Sequence, residues 1–73
     1  MADPREETRA RFVATVDRLR RRAGMSVANL AERSEMDREE VEEILRGELE
    51  PQLDTIYLIA GALEVDPARL LDG

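Results

Sequence analysis

The side chains able to do chemistry in this chain are carboxylates and guanidiniums. Seventeen Asp and Glu face eleven basic residues, all of them Arg, and there is neither His nor Cys. The chain therefore has no thiolate nucleophile, imidazole base, disulfide or usual zinc ligand. The lack of His also argues against pH switching near neutrality. Carboxylates alone can be arranged as an acid–base pair. Here no nucleophile–base set, Gly-rich phosphate loop or metal-ligand spacing accompanies them, and 73 residues leave little room for a deep pocket. No catalytic residue, metal or cofactor is expected. Guanidiniums have another use: their rigid fork binds phosphate and reads guanine bidentately. Genomic compositional bias is the blander and preferred account of an all-Arg set.

The charge is unevenly placed. Residues 1–24 carry seven Arg against Asp3, Glu6, Glu7 and Asp17, a net of +3, whereas residues 25–73 carry four Arg against thirteen acids, a net of −9. Hydrophobic residues reach 42% but aromatics only 3%, so the core must be aliphatic, which suits packed helices better than a sheet. No apolar run approaches the ~20 residues that cross a bilayer. A charged beginning, from Asp3 onward, is unlike a signal peptide. A soluble cytoplasmic protein of one domain, residues 1–73, is expected, with modest stability unless a second subunit adds burial.

Periodicity places the elements. Phe12, Val13, Val16, Leu19 and Ala23 make one stripe of a helix from about Arg5 to Arg22, which Gly24 ends. Ser26 caps a short second helix with Leu30 and Ala31 inward. Ser34, Glu35 and Met36 form a tight connection. Asp37 with Glu40 has the spacing of a capping box ahead of a third helix, about 38–46, whose inner face is Val41, Ile44 and Leu45. Gly47 stops it. Leu53, Ile56, Ile59, Ala60 and Leu63 give a fourth helix. A fifth, short helix has Asp66 as cap and Pro67 in its first turn, and Leu70 and Leu71 pack back.

Five helices with a short link between the second and third suggest a helix-turn-helix. The ordered set goes further: Leu19-Arg20, Gly24-Met25-Ser26, Leu30-Ala31, Val41, Ile44, Arg46-Gly47, Pro51, Leu53, Ile56, Ala60, Leu63, Val65, Leu70 and Leu71. In this respect the chain resembles the Cro/repressor family, also called the xenobiotic-response-element type, over residues 12–71. The resemblance implies an all-α, five-helix, lambda-repressor-like domain with its helix-turn-helix at about 26–46. It implies a sequence-specific DNA-binding transcriptional regulator whose third helix enters the major groove of double-stranded DNA. Carried over by position, the groove-facing residues are Arg38, Glu39, Glu42 and Glu43. Phosphate contacts fall at Ser26, Val27 and Asn29, with Arg33 and Arg46 nearby. A homodimer is the family default, and Tyr57 is read as a subunit contact. Residues 1–8, ahead of the resemblance, are read as an arm or as the start of the first helix.

Several positions depart from the family pattern. Val27 stands where a Gln often touches phosphate. Glu35 occupies a turn position often held by Gly, where a left-handed backbone is strained. The Glu that often pairs with an Arg at position 20 is replaced by Leu45, so Arg20 must turn to Glu64 or Asp66, or stay solvated. Gln52 replaces the usual Ser or Thr cap. Above all, the third helix is acidic. Asp37, Glu39, Glu40, Glu42 and Glu43 oppose only Arg38 and Arg46, whereas DNA affinity comes largely from cations that displace counterions. A carboxylate can accept from the cytosine N4 amine. It can equally be a solvated face, with Glu42 and Arg46 as an i,i+4 pair. The alternative function is a helix-turn-helix-fold interaction module that uses this acidic helix, together with an exposed Val27, to bind a basic protein partner.

Overall fold

The computed structural model describes residues 3–72, which form five α-helices. They are α1 (Pro4–Arg22), α2 (Val27–Ser34), α3 (Arg38–Leu45), α4 (Leu53–Leu63) and α5 (Pro67–Asp72). There is no strand among the described residues.

The helices begin and end for local reasons. Asp3 caps α1 by accepting from the Arg5 amide at 2.9 Å, with Pro4 at the first position and Glu6 and Glu7 in the first turn. Arg20, Arg21 and Arg22 complement the dipole in its last turn. Residues 4–8, one of whose sequence readings is an arm, are the opening turns of this helix, while residues 1 and 2 lie outside the described part.

Four helix ends share one hydrogen-bond pattern. At each, two successive amides turn back to carbonyls of the last turn, as at Glu35 to Glu32 and Met36 to Ala31. The pattern needs a left-handed residue. Gly24 and Gly47 supply it without steric cost, but Glu35 (φ 57°) and Glu64 (φ 59°) do so with a Cβ. The strain anticipated at Glu35 is real, and Glu64 repeats it at the end of α4.

One aliphatic core unites the helices. Phe12 and Val16 of α1, Leu30 and Ala31 of α2, Val41 and Ile44 of α3, Ile56, Ile59 and Ala60 of α4, and Leu70 of α5 are all buried. Three buried polar residues join them, Thr15, Ser34 and Thr55. Ser34 is satisfied by donating to the Leu30 carbonyl at 2.7 Å. Three apolar assignments need correction, the first being Ala23, which is exposed at the C-cap just past α1. Leu53 and Leu71 are exposed, because the inward arcs of their helices are already filled by Ile56 with Ile59 and by Leu70.

Candidate nucleic-acid interface

α2 and α3 are joined by only Glu35, Met36 and Asp37. Leu30, Ala31 and Ser34 fix the inner side of α2, and Val41 and Ile44 fix that of α3. With those side chains inward, helical periodicity sends Glu39, Glu42, Glu43 and Arg46 outward, with Arg38 on the edge of the same face. The expected groove-facing set is thus brought together on the solvent side of one helix, with Arg38 and Glu39 exposed and Glu42 and Glu43 half-buried.

The start of α2 is built by a reciprocal cap. Ser26 Oγ accepts from the Asn29 amide at 3.0 Å and donates to Asn29 Oδ1 at 2.8 Å. The Ser26 amide also donates to Asn29 Oδ1, at 3.3 Å. These bonds hold the Asn29 carbonyl oxygen against the helix end, so its amide NH2 is the group left to donate. The first-turn amides of α2 sit at the positive end of the helix dipole, a position suited to a phosphate oxygen. Val27 has no side-chain donor, but its backbone amide lies in that turn. Its side chain is half-buried against the core, which corrects its reading as part of an exposed protein-binding patch.

α3 starts differently. Asp37 is in the N-cap position but its side chain makes no capping hydrogen bond, so the expected capping box with Glu40 does not form. The spacing is right, but a cap also needs the side chain to turn back onto the helix end.

Cations on this surface fall into two groups. Arg33, at the end of α2, is exposed and has no ion pair among the described residues. Arg38 and Arg46 are both engaged. Arg38 Nε donates to Glu42 Oε1 at 2.8 Å. Arg46 Nη1 lies 3.8 Å from Glu42 Oε2, and its Nε donates to Glu48. The bond to Glu48 raises the Arg46 pKa above its ordinary value; desolvation opposes this, and the charges of Glu48, Glu42 and Glu43 reinforce it. The i,i+4 pairing of Glu42 with Arg46 was legible in sequence, while Glu42 serving two arginines and Glu48 serving one were not.

Arg20 plays a positioning part that sequence did not locate. It pairs with Asp17 at 2.6 Å, three residues back on its own helix, rather than with Glu64 or Asp66. Its Nη1 donates to the Met25 carbonyl at 2.7 Å. Arg20 thereby ties the end of α1 to the residue just before Ser26 and so orients the start of α2. Acids at i−3 are helical neighbours, and Asp17 was the available signal.

The architecture and the projecting α3 define a class of protein, the helix-turn-helix proteins. The helix-turn-helix family model matches residues 16–70, and the chain belongs to this family, of the xenobiotic-response-element type. It is similar to the restriction–modification controller protein C.AhdI from Aeromonas hydrophila, with 32% identity over 85% of this chain and 94% of that one, and a TM-score of 0.81. It also shares its fold with the controller protein C.Esp1396I, at 23% identity over 89% of this chain and 84% of that one, with a TM-score of 0.82. No curated protein matches it significantly. The chain is a DNA-binding transcriptional regulator.

Proposed function

We propose that this regulator docks the start of α2 on the phosphate backbone and inserts α3 into the major groove. The observation that carries this reading is the α2–α3 unit itself. Its inner faces are fully committed to the core, so Arg38, Glu39, Glu42, Glu43 and Arg46 can only project. Ser26, the Val27 amide, Asn29 and Arg33 meet phosphates. Arg38 reads guanine through O6 and N7, and one of Glu39, Glu42 and Glu43 accepts from a cytosine amine. The kinship to controller proteins supports a role in controlling a restriction–modification system, at DNA in the cytoplasm.

The unit acts as a homodimer through the outer face of α4. Leu53 (64% exposed), Tyr57 (56%) and Leu58 (43%) leave apolar surface uncovered there. Gly61 lies on the same face. A Cβ on it meets nothing within 4 Å, so the chain's own packing does not require glycine at that helical position, where glycine costs about 1 kcal/mol relative to alanine. Close approach of a second copy would require it.

Selection from a random duplex library, followed by footprinting, tests the reading. The expected result is an inverted repeat with half-sites about one helical turn apart. Recovery of no duplex even at low salt, with capture of a basic protein instead, would favour the interaction-module reading that the Glu42 and Glu48 pairings otherwise support. For the dimer, Gly61→Ala should raise the melting temperature at low protein concentration and weaken self-association in sedimentation equilibrium. Unchanged self-association would remove α4 as the contact.

A further inference from the structure

Resting on the docking mode just described, we infer that Glu42 is a specificity gate that withholds Arg38, and assists Glu48 in withholding Arg46, from DNA of the wrong sequence. One carboxylate faces two guanidiniums, one helical turn to either side. Arg38 donates to Oε1 at 2.8 Å, and Arg46 approaches Oε2 at 3.8 Å. They are the only cations of α3 and its C-cap, so the groove-entering element has no unengaged cation of its own. The preceding helix, by contrast, keeps Arg33 free of ion pairs among the described residues.

This arrangement treats the two modes of DNA binding differently. Non-specific affinity depends on how many cations displace counterions from phosphates. A guanidinium held by Glu42 contributes little to that number, and the carboxylate itself repels the backbone. Specific binding offers Arg38 a bidentate acceptor on guanine in exchange for Glu42. The released carboxylate can then take a cytosine amine in the same groove. Exposed i,i+4 pairs are individually weak, so a correct site can open the gate. Phosphates alone gain less by opening it, because they supply no partner for Glu42. A strongly acidic recognition helix thereby becomes a means of discrimination.

Glu42→Gln removes the gate, and Glu40→Gln is the control, removing the same charge from the same helix at a position outside the groove-facing set and with no ion pair among the described residues. Fluorescence anisotropy with a short duplex of arbitrary sequence, and with the selected duplex, is measured across a salt series. Circular dichroism verifies folding of both variants. Glu42→Gln should bind the arbitrary duplex more tightly, with a salt slope steeper by about 0.9 as Arg38 gains a phosphate; its advantage over the wild type then shrinks about threefold between 50 and 200 mM salt. Its preference for the selected duplex should fall. Glu40→Gln should keep the wild-type slope. Equal behaviour of the two variants would overturn the gate, since net charge alone would then decide. An unchanged slope in Glu42→Gln overturns it as well. If the wild type binds the selected duplex normally in either case, the docking mode survives and only the gate is lost. Absence of duplex binding by all three proteins overturns both. An independent readout is the Arg38 Nε–H signal, which should exchange more slowly than that of Arg33 in the free wild type and lose that protection in Glu42→Gln; equal exchange in the wild type would contradict the pairing.

Discussion

α2 and α3 are each eight residues long and each buries its inner face completely, yet they meet the solvent in opposite ways. α2 opens on a closed reciprocal cap, has no acid in its first turn and carries in its last turn Arg33, which has no ion pair among the described residues. α3 opens on an Asp37 that caps nothing, has Glu39 and Glu40 in its first turn, and has both its nearby arginines held by carboxylates. In the proposed docking mode the first helix of the pair attracts phosphate and the second resists it. Attraction without discrimination would spread the protein over the genome, while a reluctant reading helix makes sequence count. In that proposal, affinity and specificity fall to different helices of one small motif.

The comparison can be broken first at the core, where the two helices should be alike. Leu30→Ala and Ile44→Ala each empty a fully buried site and should each cost about 2–5 kcal/mol in denaturant melts. A much smaller loss for either would show that its helix is not anchored as described. At the helix starts they should differ. Ser26→Ala removes a cap that makes hydrogen bonds and should cost about 1 kcal/mol, whereas Asp37→Ala should cost only a few tenths, through the helix dipole. Equal losses in thermal unfolding would mean that Asp37 caps α3 after all. Between the helices, Glu35→Gly relieves a left-handed residue and should stabilise by up to about 1 kcal/mol, the gain being limited by the greater freedom of glycine in the unfolded chain. A loss of stability would indicate that the Glu35 side chain contributes something the backbone does not reveal. Arg33→Ala should leave the melting temperature within experimental scatter and lower the salt slope of DNA binding by about one, a change no wider than a single phosphate contact. An unaltered slope would take Arg33 off the backbone.

Much of this molecule was readable before its coordinates. The stripe through Phe12 and Val16, the glycine stops at Gly24 and Gly47, the cap at Ser26 and the boundaries of α4 follow from periodicity and turn chemistry, because each is decided within a few residues. The ordered apolar positions made the family recognisable. What escaped depends on side-chain direction. Asp37 and Ser26 look alike as caps, but only Ser26 has a partner at the third position that returns its bond. Arg20 was assigned to distant acids because the family's partner position is Leu45, whereas Asp17 lay within reach on the same helix. Leu53 and Leu71 have core-like identity at positions whose neighbours already fill the core. The positions of the projecting residues on α3 and the Glu42–Arg46 pair were legible, but the sharing of Glu42 with Arg38 and of Arg46 with Glu48 was not. Glu42 can reach Arg38, Arg46 or solvent with nearly equal ease, and only the packed rotamers select among them.

The division of labour between α2 and α3 is tested most directly by mapping backbone amide shifts of the intact chain as selected duplex DNA is added in solution. The account predicts the largest changes at Val27–Asn29 and Arg38–Arg46, with little change on the outer face of α4 around Leu53 and Tyr57. Shifts centred on α4, or an α3 that stays silent while DNA binds, would contradict it.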